Sequence, residues 1–73
     1  MVILKNIKKT NDDISADYYI EGREPKGFMR VRISDEEVLE HKNAGYGSSH
    51  VRSELRRLAK MDNPPREKTV LWY

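Results

Sequence analysis

Between residues 14 and 33 the chain alternates apolar and polar side chains on both sides of a loop, and this constrains the fold more than any other feature. Ile14, Ala16, Tyr18 and Ile20 leave one side of the backbone, while Ser15, Asp17, Tyr19 and Glu21 leave the other. Met29, Val31 and Ile33 then alternate with Phe28, Arg30 and Arg32. A period of two marks a half-buried strand, because successive side chains point to opposite faces. Two such runs flanking Gly22-Arg23-Glu24-Pro25-Lys26-Gly27 read as an antiparallel hairpin. Parity limits its register. The apolar set is even-numbered in one strand and odd-numbered in the other, so opposed positions must sum to an odd number if both sets meet one core. A sum of 49 sets Asp17 opposite Arg32 and Tyr19 opposite Arg30. A sum of 47 sets Asp17 opposite Arg30 and Tyr19 opposite Phe28. Both make favourable cross-strand pairs.

The flanking segments extend this hairpin. Residues 2–8 are rich in β-branched side chains and too short for a helix, so they read as a strand. Residues 34–42 admit two readings. Ser34 with Glu37 spells a capping box that would open a helix. Only Val38 and Leu39 are apolar there, however, and adjacent residues make no helical stripe; a turn at Asp35-Glu36 followed by a strand to about residue 42 fits better. Residues 48–61 are the clear helix, with Val51, Leu55, Leu58 and Ala59 in one stripe, Ser48 or Ser49 as cap, and Asn63-Pro64 as terminator. Residues 69–73 (Thr-Val-Leu-Trp-Tyr) read as a closing strand. The connection from 43 to 66 is long enough for a crossover, so this strand is allowed to run parallel to its neighbour. The expected architecture is one α+β domain over residues 1–73. It has an antiparallel sheet of four or five strands, a meander of four, one helix packed on one face, and a C-terminal strand.

Length and composition narrow the functions. At 73 residues the chain is one small domain, and a core of this size supports a stability of roughly 3–5 kcal/mol. The absence of cysteine excludes disulfides, thiolate metal sites, iron–sulfur clusters and cysteine nucleophiles. The first apolar run, Met1 to Leu4, meets Lys5 at once, so neither a signal peptide nor a membrane span is read. A soluble, cytoplasmic protein is the expectation. Charge is segregated. Lys5, Lys8 and Lys9 make the start basic, five bases face nine acids over residues 10–47, and six bases face three acids beyond. The basic ends flank an acidic middle, unlike the single basic face of a dedicated nucleic-acid binder.

Four groups of residues are candidates for a site. Gly45-Tyr46-Gly47-Ser48-Ser49-His50 enters the helix, where free N–H groups would cradle an anion at Gly47, Ser48, Ser49 and His50. A turn and a serine cap account for the same residues, and the lysine of a P-loop is missing. Arg52, Arg56 and Lys60 stand four apart, with Arg57 adjacent, and this ridge would meet nucleic-acid phosphates unless it is simply a solvated helix face. The two histidines, His41 and His50, show no metal-ligand spacing, and no serine or paired carboxylate sits in a catalytic context; no metal, cofactor or catalytic residue is expected. Finally, Tyr19, Phe28 and one of Trp72 and Tyr73 cannot all reach a single core. With Arg30 and Arg32 they fall on the sheet face turned away from the helix. Aromatics and arginine are the residues enriched at protein interfaces, although a half-wet antiparallel face has the same pattern.

Gly45-Tyr46, residues 49–59 (Ser-His-Val-Arg-Ser-Glu-Leu-Arg-Arg-Leu-Ala) and residues 63–73 (Asn-Pro-Pro-Arg-Glu-Lys-Thr-Val-Leu-Trp-Tyr), with Asp17-Tyr18-Tyr19-Ile20 and residues 27–31, resemble an uncharacterised family of short proteins from Gram-positive bacteria. The likeness covers most of the chain and brings no activity, cofactor or site residue. It implies a bacterial, cytoplasmic setting. The residues themselves favour a non-catalytic interaction module, binding a protein partner or a second copy through Tyr19, Phe28, Arg30, Arg32 and Trp72. Nucleic-acid binding through Arg52, Arg56, Arg57 and Lys60 is the alternative.

Overall fold

Five strands and one helix follow one another: β1 (Val2–Lys9), β2 (Asp13–Ile20), β3 (Gly27–Arg32), β4 (Val38–Lys42), α1 (Ser48–Ala59) and β5 (Lys68–Val70). The structure, a computed structural model, describes residues 1–23, 26–42 and 48–71, with Ser48 described by its backbone alone. The sheet order is β4-β3-β2-β1-β5, every neighbouring pair is antiparallel, and the architecture is α+β. β4 and β5 form opposite edges. The helix between them carries the chain across one face of the sheet, and so β5 arrives antiparallel to β1, not parallel as the long connection allowed.

The core lies between α1 and that face. Val2, Leu4, Ile7, Ile14, Ala16, Tyr18, Met29 and Val31 of the sheet are buried together with Val51, Leu55 and Leu58, the predicted helical stripe. The helix ends at Ala59, earlier than the proline signal, because its final turn tightens: the N–H groups of Lys60 and Met61 bond the carbonyls of Arg57 and Leu58 three residues back. Lys9 Nζ donates to the Met61 carbonyl at 2.7 Å and covers this end.

Two irregularities in the strands decide which side chains face the core. Val2 and Leu4 are buried at even positions, but so is Ile7, which simple alternation would turn outward. A bulge between Lys5 and Lys8, with Asn6 in the left-handed region at φ 54°, inserts one residue and restores Ile7 to the core face. The Ile7 N–H freed there bonds the Arg66 carbonyl at 3.0 Å. A second shift, between Arg30 and Val31 and their partners on β4, spares Leu39. Val38 and His41 then fall on the core side and Glu40 on the outer side. The turn at 33–37 followed by a strand is therefore the fold of the segment that also carried a capping box.

Neither register anticipated for the hairpin occurs. The paired positions sum to 45, which keeps the odd parity and sets Asp17 opposite Phe28, Ser15 opposite Arg30, and Asp13 opposite Arg32. The reason lies on the core side, where this register alone of the three puts Tyr18 opposite Gly27. The Tyr18 ring lies over that glycine so closely that a Cβ there would stand 2.3 Å from its Cζ. The ring thus crosses β3, and its hydroxyl meets His41 Nε2 at 2.5 Å, with the Lys42 carbonyl at 3.5 Å. Any side chain at 27 would block the crossing, and burial pushes the phenol above its ordinary pKa of 10.0.

Candidate functional site

Alternation on β2 and β3 puts Tyr19, Phe28, Arg30 and Arg32 together on the face away from α1, as the sequence implied. Their mutual arrangement differs from the expectation. Tyr19 opposes Ile3 of β1, not Phe28 or Arg30, and Phe28 lies between Asp17 and Lys42. Tyr19 and Phe28 are diagonal neighbours, within reach of one large probe but not a stacked pair. Trp72 lies outside the described residues, so the candidate site rests on Tyr19, Phe28 and Arg30, with Arg32 at its margin.

Among the described residues most charges on this face are matched, Lys8 opposite Ser15 being the exception. Arg30 stands between Asp13 and Glu40, each at 3.6 Å. Glu40 also takes Lys42 at 3.4 Å. Asp17 receives Lys26 at 3.6 Å and the Asn6 amide at 2.9 Å. Lys5 Nζ sits 5.4 Å from the centre of the Tyr19 ring, a cation–π contact. Arg30 Nε, shielded from solvent, has no acceptor among the described residues. Lys26, Lys42, Phe28, Asp17 and Glu40 line a shallow, open hollow of about 270 Å³ over β2, β3 and the edge strand β4. Arg32 belongs elsewhere. Its guanidinium holds Asp35 at 3.0 Å and Glu37 at 3.3 Å and closes the turn between β3 and β4. The Glu37 N–H, with Arg32 behind it, keeps the Asp35 carboxyl below its ordinary pKa.

Comparison with known proteins adds no relative. No family model, curated protein or solved structure matches this chain. The site therefore stands on its own geometry.

The helix ridge is less open than its spacing implied. Arg52 donates to the Glu36 carbonyl at 3.2 Å, and Arg56 Nε bonds the Glu36 carboxylate at 2.5 Å. Glu36 holds both from a left-handed backbone, φ 61°. Arg57 pairs with Glu54, which raises the guanidinium pKa further, and the same carboxylate lies 3.9 Å from Lys68 of β5. Of the four, Arg52 is held only by a backbone carbonyl, and Lys60 alone has no hydrogen-bond or ion-pair partner among the described residues. At the helix start, Gly47 lies outside the described residues, and Ser49 and His50 are exposed in the first turn. Among the described residues no three His, Asp or Glu side chains converge on a point, and no helix is long and apolar enough to cross a membrane.

Sequence reasoning missed three participants. Lys5 and Ile3 reach the outer face because β1 pairs with β2, and the break in phase between Leu4 and Ile7, at Asn6, is the signal that fixes which β1 residues do so. Glu36 gave no signal, since any acid in a turn looks solvated.

Proposed function

We propose that the protein is a non-catalytic interaction module of the bacterial cytoplasm that binds a protein partner, or a second copy of itself, through the outer face of its sheet around Tyr19, Phe28 and Arg30. One observation carries this reading: α1, the only helix among the described residues, covers one face, and the opposite face presents half-buried Ile3, Tyr19 and Phe28 among ion pairs such as Arg30–Asp13. Satisfied pairs lower the desolvation cost of docking, because each charge brings a partner into the interface. Aromatic anchors ringed by polar groups are the residues on which interfaces concentrate their energy. A photo-reactive side chain at position 28, introduced into the full chain in living cells, is expected to give discrete protein adducts that Tyr19→Ala abolishes. The same group at exposed position 53 should give none. Equal adducts from both positions refute the reading. For the self-binding form, sedimentation compares wild type with Tyr19→Ala/Phe28→Ala, and an unchanged monomer in both counts against it.

The rival, nucleic-acid binding along α1, predicts affinity that falls steeply with salt and collapses when Arg52, Arg56 and Lys60 become Glu. It ranks second because Glu36 and Glu54 occupy three of its four cations. If the ridge has any such function, Glu36→Gln strengthens retention on a polyanion column at low salt. Unchanged retention, with no binding of mixed DNA and RNA, removes this rival.

A further inference from the structure

We propose that β5 is a dimerisation edge: residues 69–71 of one chain pair antiparallel with the same residues of a second copy, joining two five-stranded sheets into one. The sheet has two open edges among the described residues, and they are built differently. At β4 the strand is interrupted by the bulge at Leu39 and carries the Glu40–Lys42 ion pair, both devices that discourage a further strand. Beyond Lys68, the β5 edge has neither. It runs Thr69-Val70, both β-branched, and Leu71, the residue that follows the strand, is 60% exposed, more than any other large apolar side chain described.

Among registers whose two-fold axis falls on a residue of β5 (Lys68, Thr69 or Val70), parity and charge favour one for a second copy. Lys68 packs toward the helix side, where it meets Glu54, and Val70 packs on the core; Thr69 pairs with Ile3 on the outer side. Alternation puts Leu71 on the outer side with Thr69. Strands related by a two-fold axis keep their faces only if opposed numbers sum to an even total. A total of 136 opposes Lys68 to its own copy, a like-charge contact on the axis. A total of 138 opposes Leu71 to Glu67. A total of 140 opposes Val70 to Val70 on the core side and Thr69 to Leu71 twice on the outer side, with no charge facing its like. In this arrangement both helices lie on one side, and the two outer faces become a continuous surface twice as wide. The contact is short, so the dimer is weak and concentration-dependent. It stands apart from the outer-face reading: Tyr19 and Phe28 are not in it.

Sedimentation velocity of the full chain over a concentration series tests the register with two double variants. Thr69→Lys/Leu71→Lys sets lysine against lysine twice and is expected to raise the dissociation constant about tenfold or more. Thr69→Lys/Leu71→Glu sets lysine against glutamate twice and is expected to keep the dimer, now salt-sensitive. Leu71→Lys alone touches only an exposed position, so it weakens the dimer even if the double variants fold poorly. Tyr19→Ala/Phe28→Ala leaves this dimer intact, which separates the edge from the outer face. A monomer at every concentration for wild type overturns the proposal, as does a dimer indifferent to Leu71→Lys, or equal weakening by the two double variants.

Discussion

On the helix side of the sheet, Leu4, Ile14, Tyr18, Met29 and Val31 are buried against Val51, Leu55 and Leu58 in an apolar core, with Tyr18 reaching His41 and Lys68 meeting Glu54 at its edges. On the outer side, the same strands present Ile3, Asp17, Tyr19, Phe28 and Arg30, all part-exposed, joined by ion pairs, a side-chain amide and a cation–π contact. The two sides teach different things. Burial stabilises through area and shape, about 25 cal/mol per Å² of apolar surface, and tolerates no misfit. Exposed ion pairs contribute little each and leave a surface that can exchange partners. Stability resides on one side, and freedom to bind on the other.

The largest expected effect breaks the covered side. Leu55→Ala removes a fully buried side chain of α1 from the sheet and should cost about 2–5 kcal/mol, enough to unfold much of a domain this small, as urea titration would show. Next comes the glycine that one face demands. Gly27→Ala should cost about 1–3 kcal/mol by overpacking against the Tyr18 ring. In a Tyr18→Ala background that cost should largely vanish, and an unchanged cost would locate the strain elsewhere. Tyr18→Phe is milder, about 1 kcal/mol, through loss of the bond to His41. It also changes the alkaline limb. Because the folded phenol titrates above 10.0, the folded chain binds more protons than the unfolded one there, so wild-type stability falls as pH rises through that range. The Phe variant should lose Tyr18's share of this slope. The smallest effect belongs to the outer side. Asp13→Asn removes one half-exposed pair with Arg30 and should shift stability by no more than about 1 kcal/mol. A loss comparable to Leu55→Ala would end the distinction between the sides.

Much of this contrast is legible in the chain. Period two in residues 14–33 and the stripe of Val51, Leu55 and Leu58 give the sheet, the helix and their contact, because these patterns report directly which side chains leave water. Parity narrows the hairpin register but does not choose it. The choice turns on one aromatic ring requiring one bare Cα, a three-dimensional fit that residue spacing does not encode. The direction of β5 depends on how many strands the helix crosses, which connection length leaves open. Tyr19, Phe28 and Arg30 were found as a face, yet their neighbours Ile3 and Lys5 depend on the bulge at Asn6. The ridge of Arg52, Arg56 and Arg57 was legible as a pattern of charge. Its neutralisation was not, since Glu36 approaches from a turn remote in sequence.

The central claim, one covered side and one open side, is most directly tested by adding a soluble paramagnetic agent to dilute protein and measuring proton relaxation side chain by side chain. The account predicts strong enhancement at Ile3, Tyr19 and Phe28 and little at Leu4, Tyr18, Met29 and Leu55. Tyr19 and Phe28 as protected as Tyr18 and Met29 would contradict it.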